Sequence, residues 1–376
     1  MNQIFLAFQV EVWEIHLMKR KKIILIAPLD WGLGHASRCI PIIRELLTQG
    51  HEIILATDGR ALELLKSEFP QLKSIWLHGY HPVYPKGKNM VMKMAVQTPK
   101  FLFAIAREYF LLKKIIREHS IDIVISDNRY GLFSNEKPAV LLTHQLFILM
   151  PSPLKWMELT VNRVNHFFIK KFYRCWVPDM QGDENLSGSL SHGPNIPSNV
   201  EFIGTLSRFS ITPSEKKYDL LVLLSGPEPQ RTILEEKIIN QIKQMPLHTL
   251  IVRGITEENK SVQLTELIET ISHLTSEKMN EALLQADAVI CRSGYSSIME
   301  LASLGKSAIL IPTPGQTEQE YLAERIGEQG FFVLQKQDSL NVQEGLLKLK
   351  QLRNPKIPFE GNLFKETLKK FLEVIS

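Results

Sequence analysis

The sequence predicts an α/β protein built from two doubly wound domains in tandem, followed by a C-terminal helix. The chain has 376 residues, which exceeds one ordinary hydrophobic core and suits two domains. Short apolar runs alternate with amphipathic stretches, as expected for parallel strands covered by helices on both faces. This alternation stops near residue 205 and starts again at residue 220, so the chain divides into two similar units.

The first unit begins with the apolar run Ile23–Ala27, which we interpret as a buried strand followed by a glycine turn. Further strands are predicted at Ile53–Ala56, Ser74–Leu77, Ile121–Ile125, Ala139–Leu142 and Phe202–Ile203, and helices at Ser37–Thr48, Arg60–Phe69 and Val91–His119. Gly, Ser, Asn and Pro concentrate in Asp179–Asn199, which predicts a long loop there.

The second unit repeats the pattern after a polar stretch. Its strands are predicted at Leu220–Leu224, Thr249–Val252, Ala288–Cys291 and Ala308–Ile311, and its helices at Thr232–Gln244, Ser297–Leu304 and Glu318–Gln329. The segment Leu363–Ile375 has apolar residues at helical spacing, which predicts a packing helix. Two Rossmann-like domains therefore face each other across a cleft, where ligands of such sheets bind.

These patterns also set the predicted domain limits. We place residues 19–207 in an N-terminal domain, 208–217 in a linker, 218–360 in a C-terminal domain, and 361–376 in a helix that packs across the domains. Residues 1–18 precede a basic run and lack a cationic start, so we expect no signal peptide. We predict instead an unstructured or false-start extension, or a short appended helix, without a functional role.

Composition excludes several classes of protein. Apolar residues make up 44% and charged residues 22% of the chain, which is close to globular averages and unlike collagen-like, disordered or coiled-coil proteins. No apolar run reaches the roughly 18 residues of a membrane-spanning helix. The three cysteines lie far apart, so we expect a cytoplasmic chain without a disulfide framework or zinc ribbon.

Positive charge concentrates in the first part of the chain. Residues 1–210 hold 25 Lys/Arg and 18 Asp/Glu, a net charge of +7, whereas the remainder carries −3. Basic and apolar residues mix in Met90–Arg117 and Val161–Trp176, which fits either ordinary amphipathic helices or peripheral contact with the anionic inner face of a membrane. No basic cluster forms a nucleic-acid motif, so we expect no nucleic-acid partner.

The first strand-to-helix turn contains a histidine beside two glycines. Gly32 and Gly34 allow a tight turn and close approach of a ligand, and the helix that follows presents free N–H groups. His35 is a candidate general base for a hydroxyl, although a helix-capping role is equally compatible with its position. The same turn, with Asp58 after the second strand, also fits a weak dinucleotide-binding pattern.

A second group of candidate residues follows the predicted strand Ala288–Cys291. Ser293, Gly294 and the next helical turn can bind an anion, and Arg292 adds positive charge. Glu300 lies one helical turn after Ser297 and can accept both hydroxyls of a ribose. At the next strand end, Glu318 and Gln319 offer adjacent acceptors and donors that suit hexose hydroxyls.

These motifs resemble those of GT-B glycosyltransferases. The chain is similar to the family that includes the bacterial N-acetylglucosaminyltransferase that forms lipid II, and to UDP-glycosyltransferases. The resemblance covers Lys21 to the C-terminus and is strongest over Gly32–Gly50 and Asp287–Ala323. It implies a GT-B fold, with an acceptor-binding N-terminal domain and a C-terminal domain that binds a nucleotide sugar.

The resemblance also implies roles for individual residues. His35 corresponds to the proposed general base, Glu318 and Gln319 to the pair that contacts the donor sugar, and Arg208 in Gly204-x-x-x-Arg208 to a donor contact. The diphosphate and ribose contacts correspond to Ser293, Gly294, Ser297 and Glu300. The glycine-rich loop that opens the second domain is here Ser225-Gly226-Pro227, so phosphate contact there passes to Ser225 or Arg231.

The function expected from the resemblance is inverting transfer of a hexose or N-acetylhexosamine from a UDP-sugar to an acceptor hydroxyl. A lipid-linked or cell-envelope acceptor is one candidate. No D-x-D pair occurs, so we expect neither a metal site nor a cofactor. A nucleotide-sugar epimerase of the same fold, a non-catalytic nucleotide-sugar-binding subunit and a nicotinamide-dependent oxidoreductase remain alternatives.

Overall fold

The computed structural model describes residues 21–80, 90–256, 260–352 and 361–375. Within these ranges the chain forms two sheets of seven strands each. The prediction for residues 1–18 lies outside the described residues.

The first sheet is parallel throughout, and its five central strands are mostly buried, whereas the edge strands β3 and β7 are partly exposed. Its strands are β1 (Ile23–Pro28), β2 (Glu52–Thr57), β3 (Lys73–Trp76), β4 (Ile123–Asp127), β5 (Ala139–Leu142), β6 (Arg174–Val177) and β7 (Val200–Phe202). They lie in the order β3-β2-β1-β4-β5-β6-β7. Continuous runs of Ile, Leu and Val are typical of strands covered on both faces, because each face must pack against helices.

The second sheet repeats this design with one antiparallel edge. Its strands are β8 (Tyr218–Leu223), β9 (Thr249–Val252), β10 (Ser261–Thr265), β11 (Ile268–Ile271), β12 (Ala286–Cys291), β13 (Ile309–Leu310) and β14 (Val333–Leu334). Their order is β10-β11-β9-β8-β12-β13-β14, and β10 pairs antiparallel with β11. No strand was predicted at β10, because its five residues are exposed and mostly polar and contain no apolar run.

Helices cover both sheets. In the N-terminal domain they are α1 (Leu33–Thr48), α2 (Gly59–Glu68), α3 (Met90–His119) and α4 (Glu158–Ile169). In the C-terminal domain they are α5 (Gln230–Ile242), α6 (Ser276–Gln285), α7 (Tyr295–Ser303), α8 (Thr317–Glu328) and α9 (Val342–Leu349), followed by α10 (Gly361–Val374). Helix α1 begins four residues before its predicted start, because Gly32 at φ 99° ends the turn directly before Leu33.

The C-terminal helix α10 packs against the N-terminal domain. The ring of Phe371 lies 5.2 Å from that of Trp176, and Lys365 forms an ion pair with Glu45 on α1 at 3.5 Å. The buried apolar face of α10 consists of Phe364, Leu368, Phe371 and Leu372. Helix α10 therefore links the C-terminal end of the described chain to the N-terminal domain.

Both sheets reverse their strand order at a central pair of strands. In the first sheet the reversal lies between β1 and β4, and in the second between β8 and β12. The loops at the carboxyl ends of such pairs diverge to opposite faces and leave a crevice that binds ligands. The predicted turns after β1, β8 and β12 therefore lie at the two crevices.

Candidate active site

The crevice of the N-terminal domain holds His35 in a dense hydrogen-bonded group. Its Nδ1 lies 2.7 Å from Oδ1 of Asp127, the last residue of β4. Arg38, one turn further along α1, binds the same carboxylate through two nitrogens, with its Nε 2.5 Å from Oδ2. Asp127 and Arg38 are buried, whereas the side chain of His35 is 14% exposed. The histidine therefore remains accessible while its partner is fixed.

The contacts of His35 define which of its nitrogens is protonated. Nδ1 lies 2.7 Å from the Asp127 carboxylate, which only accepts, and 3.1 Å from Arg38, which only donates. The shorter contact assigns the proton to Nδ1 and leaves Nε2 free to accept one. Burial alone would raise the pKa of Asp127, but Arg38 and His35 hold it below its ordinary value. The carboxylate is thus charged at neutral pH and can stabilise a protonated His35.

A second histidine joins this group to the C-terminal domain. His144, in the loop after β5, lies with Nδ1 2.8 Å from Arg38 and Nε2 2.7 Å from Oε1 of Glu318. Because Arg38 only donates, Nδ1 accepts and Nε2 donates to Glu318. Burial lowers the pKa of His144 despite the neighbouring carboxylate, in agreement with a neutral ring. Gln145 donates to the other oxygen of Glu318.

These residues form a continuous chain of contacts across the cleft, and we refer to them together as the cleft cluster. Its members are His35, Arg38, Asp127, His144 and Glu318. Burial would raise the pKa of Glu318, but His144 holds it below its ordinary value. The cluster therefore combines the Arg38 guanidinium with two carboxylates, Asp127 and Glu318, and with His144, whose lowered pKa agrees with a neutral ring.

The N-terminus of α7 faces the glycine turn of the other domain. Gly294 is the N-cap residue, and because it has no side chain it leaves the first helical N–H groups available to an anion. Ser296 donates to the carbonyl of Gly34 at 3.0 Å. Ser297 is half-buried on the same first turn, whereas Ser293 is fully buried and donates to the carbonyl of Gln319 at 2.8 Å. The predicted anion site thus lies within reach of the His35 loop.

The predicted ribose contact is paired with the predicted donor-contacting arginine. Nε of Arg208 donates to Oε1 of Glu300 at 2.8 Å, and both side chains are about one-tenth exposed. Burial raises the pKa of Glu300 above its ordinary value although Arg208 counteracts the shift. The pair lies beside the predicted interdomain linker, where Arg44 donates a hydrogen bond to the carbonyl of Arg208 at 3.2 Å. The structure thus brings Arg208 and Glu300 together.

Three other predicted residues follow the carboxyl ends of strands in the second sheet. Arg292 is buried and donates to the carbonyls of Ile311, Pro312 and Gln230, and burial lowers its pKa to about 10. Gln319 accepts from the N–H of Thr313 at 2.8 Å. Ser225 is half-buried after β8, at the crevice of the second sheet. A direct contact of these side chains with a donor stays a prediction.

Asp58, the acid of the dinucleotide-binding alternative, has a structural contact. It is fully buried at the start of α2 and accepts from the N–H of Gly79 at 2.8 Å. His78 lies 3.7 Å from the same carboxylate oxygen. Asp58 therefore anchors the segment after β3, which weakens its interpretation as a ribose ligand.

Three members of the cleft cluster were not predicted from the sequence: Arg38, Asp127 and His144. Asp127 ends β4 and His144 follows β5, so both lie where parallel strands present ligand-binding residues. Polar residues that directly follow buried strands were the available signal. Arg38 lies three residues after His35 on α1, a spacing that puts both side chains on one helical face.

Comparisons with known proteins agree with this architecture. Residues 229–371 match the glycosyltransferase family 28 C-terminal domain, and residues 24–136 match a glycosyl transferase family 1 model. The crystal structure of the glycotransferase of kitacinnamycin superposes with a TM-score of 0.60 at 15% identity, covering 95% of this chain and 96% of that chain. By sequence similarity and fold, the chain is a GT-B glycosyltransferase.

Two curated relatives match the glycosyltransferase over most of its length. An uncharacterized glycosyltransferase from Methanosarcina acetivorans is 24% identical over 80% of this chain and 82% of the relative. A Histophilus somni protein is 24% identical over 91% of this chain and 92% of the relative. Its name is UDP-N-acetylglucosamine–N-acetylmuramyl-(pentapeptide) pyrophosphoryl-undecaprenol N-acetylglucosamine transferase.

The contact between Gly34 and Ser296 gives a direct test of how the two domains of the glycosyltransferase meet. A Cβ at position 34 would lie 2.9 Å from Oγ and 3.2 Å from Cβ of Ser296. We expect Gly34→Ala to lower kcat/KM by about 10-fold, because the new Cβ must displace Ser296 by several tenths of an ångström and a positioned site is sensitive to misplacement.

The rescue variant is Gly34→Ala with Ser296→Gly, since the second change removes both clashing atoms. We expect the double variant to recover most of the lost kcat/KM, whereas Ser296→Gly alone lowers it only mildly. An equal loss in the single and double variants would show that the damage arises within the turn and not at the domain contact.

Proposed function

We propose that the chain transfers a hexose or N-acetylhexosamine from a UDP-sugar to an acceptor hydroxyl, with inversion at the anomeric carbon. The observation that carries this proposal is the cleft cluster, in which a candidate base on one domain is linked to a candidate sugar-binding carboxylate on the other. The name of the Histophilus somni relative includes a UDP-N-acetylglucosamine donor, which supports the choice of nucleotide.

The proposed proton transfer starts at His35. Its Nε2 takes the proton of the acceptor hydroxyl while Asp127, 2.7 Å from Nδ1, stabilises the imidazolium that forms. The acceptor oxygen bonds to the anomeric carbon as the bond from that carbon to the diphosphate breaks. A single displacement of this kind inverts the configuration of the sugar.

The leaving diphosphate is the proposed ligand of the α7 N-terminus. Negative charge develops on it as the glycosidic bond breaks, and the N–H groups after Gly294 offer fixed donors together with the positive end of the helix. Ser297 lies on the same turn, and Glu300 one turn later is the proposed partner of the ribose hydroxyls. Direct donor contacts from Ser225, Arg292, Arg208 and Gln319 are part of the same proposal.

We also propose that the acceptor is lipid-linked, and the surface of the N-terminal domain supports this proposal. One face of α3 presents exposed basic and aromatic side chains in alternation: Lys100, Phe103, Arg107, Phe110 and Lys114. Trp156 and Phe167, near and on α4, are also exposed. Such faces bind anionic bilayer surfaces peripherally, and within the described ranges no helix has the length and apolar character to span a bilayer.

Co-sedimentation with vesicles tests this surface. We expect binding to vesicles with anionic phospholipid and not to neutral ones, and replacement of Phe103 and Phe110 by serine to abolish it. Equal binding by the variant would reject this face as the membrane contact. The undecaprenol-linked acceptor in the name of the Histophilus somni relative motivates lipid-linked hydroxyls in the acceptor screen.

Release of nucleoside diphosphate tests the reaction itself. Purified full-length protein is incubated with a panel of UDP-, GDP- and TDP-sugars and acceptors, and the configuration of the product is read by proton NMR. Acceptor-dependent release of UDP with an inverted product supports the proposal. Conversion of the donor to its epimer without an acceptor would favour an epimerase, and binding without turnover of any pair would favour a non-catalytic subunit.

A further inference from the structure

Helix α8 presents one continuous face to the N-terminal domain. Glu318, Tyr321 and Arg325 follow one another at spacings of three and four residues, so they share this face. The hydroxyl of Tyr321 accepts from the N–H of Ser189 at 2.8 Å, and Arg325 donates to the carbonyl and the side chain of Asn185, both at 3.1 Å. The position of α8 relative to the other domain is therefore defined by several bonds.

Glu318 is the member of this face that reaches the cleft cluster. Its two carboxylate oxygens accept from His144 and Gln145, and its side chain is still 33% exposed. A carboxylate has about four acceptor positions, so two remain for hydroxyls of a bound sugar. The bonds from the N-terminal domain hold Glu318 in one orientation without using all of its capacity.

His144 is held by its own neighbours from three sides. Its ring stacks on Tyr295 of α7, with centroids 4.2 Å apart and planes 4° from parallel. Tyr295 in turn donates to the carbonyl of Pro178 at 2.7 Å. Arg38 donates to Nδ1, which fixes the tautomer that donates to Glu318. The ring therefore has one orientation and one set of hydrogen bonds.

We infer that His144, with Gln145, is a positioning residue. Its hydrogen bond holds Glu318 in one orientation and so fixes the position of the sugar-binding carboxylate relative to the base His35. The link runs from Glu318 through His144, Arg38 and Asp127 to His35, and each step is a direct hydrogen bond. Recognition of the donor sugar and alignment of the base are thereby coupled to closure of the two domains. This inference rests on the proposed function for its kinetic consequence, but not for the contact itself.

The contact is tested without activity by NMR of histidine labelled with nitrogen-15. The signal that disappears in His144→Phe identifies His144, and its nitrogen shifts report an Nε2–H tautomer in the intact protein. We expect Glu318→Gln to move this signal, whereas Glu320→Gln, two residues further on α8, leaves it unchanged. An unmoved His144 signal in Glu318→Gln would show that His144 does not bind Glu318 and would overturn the inference.

Kinetics test the positioning role. His144→Phe keeps a ring against Tyr295 but removes both hydrogen bonds, so we expect kcat to fall about 30-fold while the dissociation constant for UDP changes less than twofold. His144→Gln retains a donor toward Glu318 and is expected to recover most of kcat. Unchanged kcat in His144→Phe would contradict the inference.

His166→Phe is the matched control. His166 lies 3.0 Å from the carbonyl of Leu146 in the same loop, but it is not part of the cleft cluster. Equal losses in His144→Phe and His166→Phe would overturn the positioning role, because disturbance of the loop alone would then suffice. If the intact protein transfers no sugar while the NMR signal still depends on Glu318, the proposed function fails but the contact between His144 and Glu318 is confirmed.

Discussion

Replacement of His35 by glutamine is expected to lower kcat by about 1,000-fold while donor binding stays within twofold of the unmodified protein. A positioned general base contributes roughly 100- to 10,000-fold to proton transfer. His35 is the accessible member of the cleft cluster, and its bond to Asp127 leaves Nε2 as the proton acceptor. Single-turnover measurement of transfer separates this step from donor binding and product release.

His248→Gln is the control for this variant, because His248 is exposed at the opposite end of the second sheet, where β9 begins. We expect it to retain full kcat. A His35→Gln variant with kcat within threefold of the unmodified protein would assign His35 to packing of the turn and remove it from the mechanism.

Asp127→Asn is expected to damage both stability and catalysis. Asp127 is fully buried and binds the Arg38 guanidinium through two oxygens, so the substitution leaves a buried cation with a neutral partner. Breaking a buried pair in this way costs about 3–5 kcal/mol. For a domain of this size we expect a loss of about 10 °C in the melting temperature. We also expect kcat to fall at least 100-fold, because the tautomer of His35 is no longer enforced.

The lowered pKa of Asp127 makes the stability of the fold depend on pH. Its pKa in the folded chain lies below the ordinary value of about 3.9. The charged carboxylate therefore stabilises the fold fully above about pH 3.9, and this contribution disappears as the pH falls through the lowered pKa. We expect Asp127→Asn to show a shallower loss of stability in acid. Asp183→Asn, at an exposed position, should melt as the unmodified protein does.

The fold was predictable because its strands are short, apolar and regularly spaced. Ile23–Pro28 and Glu52–Thr57 lie where buried runs predicted them, within one or two residues. Strands with a weaker pattern were missed: Val333–Leu334 has two residues, and Arg174–Val177 begins with a charge. Their pairing with longer neighbours, rather than their own sequence, stabilises them as strands.

The candidate site was predictable in part for a different reason. His35 and Glu318 lie in the first turns of helices that follow strands, where local sequence indicates ligand binding. Their link through His144 and Arg38, however, depends on contacts between residues more than 100 positions apart. The contacts of Arg292 also depend on the fold. Its place in a polar turn predicts an anion contact, but no local pattern indicated that its guanidinium donates to three backbone carbonyls.

Calorimetric titration of nucleotide sugars against the unmodified protein, Glu300→Ala and Glu236→Ala tests the central claim most directly. The panel contains UDP-, GDP- and TDP-sugars and NAD(H). Glu300 is paired with Arg208 at the proposed ribose contact, and Glu236 is exposed on α5 of the same domain. Two hydrogen bonds to a charged acceptor are worth about 1.5–3 kcal/mol each, so their loss weakens binding at least 100-fold.

We predict saturable binding of a UDP-sugar that is retained in Glu236→Ala and lost in Glu300→Ala. Binding of NAD(H) alone, unaffected by either substitution, would contradict the account and return attention to the turn between Gly32 and Asp58.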